Sequence, residues 1–355
     1  MIFLYCFVIL LTPMSRLWHK LMRLFKRLTG RTSILQAAVL LIIGSSGVFL
    51  CWDQGKKSTC QTAYMAHHEM WNELLSYISQ MPSMYYTMYH NFCVNRALYK
   101  TGRLGDEMFF FPQRPGALLL TSAKKRGKFM ELEGCRVFME LGLINLAEKK
   151  ACECFENSNS GPLVLENLGL INLIKGRSKT AQMCFELMSR DLIYEWKGKE
   201  YLRRLEEETE PGDVKRMRSV MLRRDCFFAD TQVEGLLLKL LEDNRHNRMA
   251  FEYLMAHYML KGKLEKAVNN LTRLDDFGYQ RIPRHYEEAL LTHNHISGKE
   301  VRIPGRQISS KSLTGFARFN KVLEQFDGRE EAKRAMFGEF GATYFYYYMF
   351  YGTKE

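Results

Sequence analysis

Acidic residues are missing from the start of this 355-residue chain. None occurs before Asp53, while Arg16, Lys20, Arg23, Lys26, Arg27 and Arg31 all fall in that stretch. The absence changes the meaning of the formal charge of +12. Setting those six aside leaves 45 basic against 39 acidic residues, or +6 over the remainder. That is a mildly basic surface and not a phosphate-binding face, which argues against a nucleic-acid partner. Paired cysteine spacing is missing as well, among Cys6, Cys51, Cys60, Cys93, Cys135, Cys152, Cys154, Cys184 and Cys226. Cys152 and Cys154 would point about 200° apart on a helix, which spoils them as joint metal ligands. Most of the nine read as small buried hydrophobes; a disulfide or two stays open if the domain lies outside the cytoplasm. Strand alternation and low-complexity tracts are also absent, which leaves an all-α chain. Its length exceeds one compact core, so several domains or a repeat array are expected.

Charge is again what residues 34–52, ILQAAVLLIIGSSGVFLCW, lack. As a helix they reach roughly 28 Å, close to the hydrocarbon thickness of a bilayer, and they end in an interfacial type of residue, Trp52. The expectation is a transmembrane helix. Before it, residues 13–32 contain SRLWHKLMRLFKRL (15–28), with Leu17, Trp18, Leu21, Leu24, Phe25 and Leu28 on one stripe and basic residues on the other side. Such a helix lies in the headgroup plane and prefers anionic lipid. Six basic residues before the span place that flank in the cytoplasm, and the large C-terminal portion on the periplasmic side of a bacterial inner membrane. Lys56 and Lys57 pull weakly the other way. Residues 1–12 are apolar but too short to span. They read as a signal-like segment or as the tail of a longer span, and the second reading is favoured.

In the remainder, 58–355, a glycine is followed five residues later by alanine three times: Gly142 and Ala147, Gly176 and Ala181, Gly262 and Ala267. The interval from Gly142 to Gly176 is 34 residues. Gly102 occupies the same place in a fourth segment, with Glu107 at the alanine position. The physics is that of antiparallel helix pairs. Glycine closes the first helix in a left-handed conformation, and alanine at the first inward turn of the second lets the helices approach. The pairs span 88–112, 127–155, 162–189 and 247–274. In the third, Leu168 and Gly169 face the partner helix and Phe185 packs one turn beyond Ala181. Residues 58–81 predict one further long helix ending before Pro82.

This pattern resembles the tetratricopeptide repeat, best at 163–188, although its usual closing proline is missing from every pair. The resemblance implies an all-α superhelix of hairpins following the transmembrane helix. A second resemblance rests on NRALYKTGRLGDEMF (95–109), NRMAFEYLMAHYML (247–260) and ATYFYYYMFYG (342–352). Together these are similar to an uncharacterised family of Bacteroidetes integral membrane proteins, in which several spans precede a tetratricopeptide-like half. That implies architecture and no chemistry.

No catalytic constellation stands out in the residues. HHEMWNE (67–73) lacks the second histidine one turn on that zinc proteases need. VKRMRSVMLRR (214–224) spreads its charges over several faces. His285, Glu287 and Glu288 are sequence neighbours that do not converge on one point. No cofactor, metal or catalytic residue is assigned. The aromatic end, YFYYYMFY, reads as a cap on the last hydrophobic surface or as a row of interfacial tyrosines.

In the usual repeat geometry a concave groove would be lined by Tyr89, Phe92, Arg96, Tyr99, Phe129, Arg136, Met139, Glu166 and Leu170. The mix suits a peptide or amphipathic helix, with arginine as polar anchor. The same residues would serve equally to meet neighbouring helices, and both readings stand open. The expected function is a membrane-anchored, non-catalytic scaffold for a protein partner. The alternative is the helical tail of a polytopic membrane enzyme, such as a transferase acting on lipid-linked sugar.

Overall fold

Four of the glycines expected to end helices do so with the same pair of hydrogen bonds. The residue after the glycine donates its N–H five residues back: Arg103 to Leu98, Leu143 to Phe138, Arg177 to Asn172 and Lys263 to Tyr258, at 2.7, 2.8, 2.8 and 2.9 Å. The glycine N–H itself reaches three residues back, to Tyr99, Met139, Leu173 and Met259. Gly102, Gly142, Gly176 and Gly262 stand at φ +70°, +91°, +72° and +68°. This satisfies carbonyls that a helix end leaves unpaired and turns the chain at once into the next helix.

The computed structural model describes residues 32–50, 53–114, 116–119, 128–158, 161–223 and 233–352. Among these there are α-helices and short 3₁₀ turns and no strand. In chain order the helices are α1 Thr32–Leu50, α2 Gln54–His67, α3 Trp71–Ser79, α4 Met88–Lys100, α5 Leu104–Glu107 and α6 Lys128–Leu141. They continue with α7 Ile144–Ser158, α8 Pro162–Ile174, α9 Ser178–Met188, α10 Glu195–Glu206, α11 Gly212–Ser219 and α12 Val233–Asp243. The last are α13 Arg248–Leu260, α14 Leu264–Asn269, α15 Arg284–Ser297, α16 Ser310–Leu323, α17 Arg329–Phe340 and α18 Tyr344–Phe350.

The chain divides into two compact units, Met1–Lys57 and Ser58–Glu355. In the first, α1 is 19 residues long and carries no charge. Its side chains are described over residues 37–47, where Leu40, Leu41, Ile42 and Ile43 are exposed. Among the described residues no helix is long and apolar enough to cross a membrane. The expected segments 1–12 and 15–28, together with Cys6, Cys51, Trp52 and Cys226, lie outside the described residues.

In the second unit α6 pairs with α7 and α8 with α9, and the two hairpins meet where α8 packs on α7. Ala147, Ala181 and Ala267 are 0, 0 and 1 % exposed, so each sits at a close crossing of two helices. Gly105 of α5 instead lets the start of α15 approach, since an added Cβ would stand 2.8 Å from the Pro283 ring. Helix α10 lies on α9, and α11 returns to α8 and α6. The later hairpin does not simply continue a stack: α13 packs back on α5 and α6, and α15 packs on α5. The tie is polar as well as apolar, since Asn247 Nδ2 donates to Leu141 O at 2.9 Å.

The expected long helix over 58–81 is two helices. The break is Glu69, at φ +56°, with Met70 N–H bonded back to Met65 O at 2.9 Å. The aromatic end is a cap on hydrophobic surface. Tyr344, Phe345, Tyr346 and Phe350 are buried, and Phe345 meets Phe319 at 4.9 Å between centroids.

Candidate functional site

Helix α4 is buried over an unbroken run, Tyr89 to Leu98. A helix buried all round must satisfy polar groups on each side, and α4 does so with two different sets. On one side Arg96 Nη2 donates to Glu140 Oε1 at 2.8 Å, and Arg96 also pairs with Glu133, both glutamates coming from α6. Lys100 reaches the same Glu140 oxygen at 2.8 Å, and the Trp71 ring of α3 lies 4.9 Å below the Arg96 guanidinium. Burial opposes the charge of Glu140, but Arg96 and Lys100 outweigh it and hold that carboxyl down to about 2.

A second node continues along α6 and α8. Arg136 Nη2 donates to Glu166 Oε2 at 3.1 Å, and its Nε to Asn167 Oδ1 at 3.3 Å. The other Glu166 oxygen accepts from Lys197 Nζ and from the Tyr201 hydroxyl, each at 2.9 Å. His67 closes the cluster with Nε2 3.3 Å from Lys197 Nζ. Burial first, then the Arg136 and Lys197 charges, pushes the His67 imidazole down to about 3 against the pull of Glu166. It is therefore neutral and accepts from Lys197.

These clusters hold most of the residues expected to line a groove. Tyr89, Phe92, Arg96, Met139 and Glu166 are 3, 1, 2, 1 and 2 % exposed, and Tyr99, Arg136 and Leu170 are half-buried. Trp71 from α3, Glu133 and Glu140 from α6, and Tyr253 from α13, whose ring meets Tyr99 at 6.0 Å, cover the face of α4 that a free repeat would leave open. Arg96 ties this protein's own helices together, while Arg136 also lines, with His67, Glu133 and Asn167, a cavity of about 170 Å³. The side chain of Phe129, at the start of α6, lies outside the described residues.

A groove also lies on the other side of α4. Asn91 and Asn95, four apart and so on one helix face, both donate to Gln113 Oε1, at 3.1 and 3.2 Å. Gln113 in turn donates to Met108 O at 2.7 Å, and Arg114 N–H donates to Asn91 Oδ1 at 2.8 Å. These bonds set residues 108–114 as a fixed wall opposite α3. Between wall and helix is a groove of about 550 Å³, lined by Leu75, Ile78, Met81, Tyr86, Phe110 and Phe111. Arg103 and Glu107, paired with each other, stand at its edge. Phe110 is 47 % exposed and the neighbouring Met84 79 %. Nothing in the residue pattern singles out Gln113, Asn91 and Asn95 beyond the four-residue interval of the two asparagines.

The motifs weighed for chemistry resolve into packing. His67 and His68 meet edge to face at 5.1 Å, and among the described residues no group of three histidines, cysteines or carboxylates could hold a metal ion. Arg218 of the basic segment donates to the Leu173 and Ile174 carbonyls that end α8. His285 and Glu288 meet at 2.9 Å, and the same Glu288 oxygen accepts from Tyr344 N–H at 2.7 Å, which docks the C-terminal helix. Glu287 points away, to Ser309 and Ser312.

A family pattern described as a family of unknown function, DUF6057, matches residues 1–351, nearly the whole chain. The chain belongs to DUF6057. No curated protein and no solved structure matches it. Membership therefore carries no activity with it, and the DUF6057 chain is interpreted from its own geometry.

Proposed function

We propose that the chain is a non-catalytic, tetratricopeptide-like scaffold, tethered to a bacterial inner membrane through 34–52, that holds an apolar segment of a protein partner. The observation that carries this reading is the groove between α3 and residues 108–114. Its floor sets Leu75, Ile78 and Met81 among Asn72, Ser76 and Ser79, its wall is aromatic and its edge charged, a mix that receives one or two large apolar side chains of a peptide while hydrogen-bonding groups remain for its backbone. The wall is held by hydrogen bonds from a buried helix, so little ordering cost falls on binding. Support for the repeat comes from the four glycine-closed helix ends and the buried alanines that follow three of them. Support for the tether is the uncharged helix α1, and the periplasmic placement follows from the basic residues ahead of it.

The test is site-directed photo-crosslinking in the full chain, in membranes of its own host. A crosslinker at Met84 is expected to give one discrete protein adduct, lost on Phe110→Asp. The same crosslinker at Leu313, exposed on α16 and away from the groove, should give none. Equal labelling from both positions, or no adduct from Met84, rejects the reading.

A further inference from the structure

The cavity of about 170 Å³ beside Arg136 lies among α2, α6 and α8. Its polar lining is Glu133 and Arg136 of α6, one turn apart, with His67 of α2 and Asn167 of α8. Ala63, Leu132 and Leu163 give it apolar walls, and the exposed Cys60 and Tyr64 of α2 bring it to the surface. Three of the polar groups keep an unused atom. Arg136 donates through Nε to Asn167 and through Nη2 to Glu166, and its Nη1 has no partner among the described residues. Glu133 gives Oε2 to Arg96, and its Oε1 has none. His67 Nε2 accepts from Lys197, so the proton of the neutral ring sits on Nδ1, which likewise meets no acceptor. None of these three atoms is sealed in the core.

Together these atoms select a ligand by sign. The two donors, one of them on a guanidinium, call for a carboxylate. A bare carboxylate, however, would bring its charge beside Glu133, whose side chain is 6 % exposed and whose free oxygen needs a donor. A bare amine would answer Glu133 but add to two neighbouring clusters that already hold four cations, Arg96, Lys100, Arg136 and Lys197, against Glu133, Glu140 and Glu166. A molecule with both charges on adjoining atoms meets both ends, because residues three apart on a helix are neighbours. The volume equals that of roughly five or six waters in the liquid, which suits glycine, alanine or serine.

We infer that this cavity binds a small α-amino acid, with its ammonium on Glu133, its carboxylate on Arg136 and His67, and its side chain against Leu132 and Leu163. A few convergent polar groups among apolar walls is the usual make-up of a small-molecule site. The site shares no residue with the groove between α3 and residues 108–114, so it stands or falls apart from the peptide-binding reading.

The test is equilibrium dialysis of the full chain, in detergent, against radiolabelled glycine, L-alanine and L-serine. At least one should bind saturably, one per chain. Acetate and ethylamine should compete about tenfold more weakly or worse, since each lacks one charge-assisted contact. Glu133→Gln should weaken the amino acid by a similar factor while the affinity for acetate holds or rises, a split that a general loss of packing does not produce. Cys60→Trp, an exposed position where a bulky ring would fill the entrance, should block binding and leave the melting temperature of the free chain unchanged. No saturable binding of any of the three amino acids overturns the inference, and so does acetate that competes as well as they do. Full affinity in Cys60→Trp overturns it too, because the ligand would then sit elsewhere.

Discussion

Gly169 and Phe185 occupy one space: a Cβ added to Gly169 would stand 2.3 Å from the Phe185 ring. The ring is wholly buried and stacks on Tyr201 at 4.5 Å, so it has nowhere to retreat. This contact sets how closely α8 and α9 approach. Gly169→Ala should therefore destabilise the helical unit by about 1–3 kcal/mol, the cost of overpacking a filled core. Phe185→Leu, destabilising alone, should cost less in the Gly169→Ala background than in the parent. A double-mutant cycle of urea midpoints measures this, and additive effects would refute it.

Two helix ends use glutamate where the others use glycine. Glu69 and Glu208 stand at φ +56° and +52°, and the following residues, Met70 and Thr209, make the same backward bonds, each at 2.9 Å. A side chain in this region costs about 1 kcal/mol. Glu69→Gly and Glu208→Gly should each be neutral to stabilising by up to about 1 kcal/mol, despite the greater freedom glycine gives the unfolded chain. Gly142→Ala should be the opposite extreme, because its Cβ would also meet Val220 O at 2.0 Å. Thermal melts of the three variants would show the order, and a reversed order would refute it.

These same positions explain how far the fold could be read from residues alone. Gly102, Gly142, Gly176 and Gly262 announce turns because only glycine takes the left-handed conformation without strain, so residue identity and geometry coincide there. At Glu69 they do not coincide, and the long helix expected over 58–81 breaks where nothing in the residue type marks it. The groove was harder still. Local periodicity says which face of α4 is apolar, but what covers that face is Trp71, Glu133, Glu140 and Tyr253, which are distant in sequence and brought in by a packing order that local patterns do not encode. Of the two readings open for Arg96, ligand anchor or contact between helices, its burial and its pairs with Glu133 and Glu140 support the second. The exposed turn at Leu192 escaped for the reverse reason: apolar residues near a helix start suggest burial, and here they stand in solvent.

Acid should loosen the helical unit in two stages. Burial pushes His67 down to about 3 and His257 to about 4, and it lowers His90 as well. An unfolded histidine takes up its proton near pH 6.5, while the folded ones resist. Stability is then complete above that pH and falls as pH drops below it, by about 1.4 kcal/mol per pH unit for each histidine held neutral. Glu140, held at about 2, adds a second loss between its unfolded value and pH 2. His67→Gln should flatten the first slope without moving the second. Urea midpoints from pH 7.5 to 2 test this, and a curve unchanged by the substitution would show that His67 is not the source of the slope.

Arg96 offers the sharpest test of what holds α4 in place. It is 2 % exposed and serves Glu133 and Glu140, which are 5 and 3 % exposed. The gain from such buried pairs is largely offset by the cost of taking the charges out of water, so the cluster as a whole adds little net stability. Breaking it is another matter. Arg96→Met leaves Glu133 without its arginine and Glu140 with Lys100 alone, and should cost about 3–5 kcal/mol. Replacing all three, Arg96→Met with Glu133→Leu and Glu140→Met, removes the stranded charges together. Lys100, 16 % exposed at its side chain, can then turn to solvent, and Arg136 keeps Glu166. The triple variant should therefore be markedly more stable than the single one, although it removes more polar contacts. Denaturant midpoints of the parent, single and triple chains decide the matter. If the triple variant is the least stable, the charge cluster is a true source of stability, and α4 is not a helix locked by mutual neutralisation.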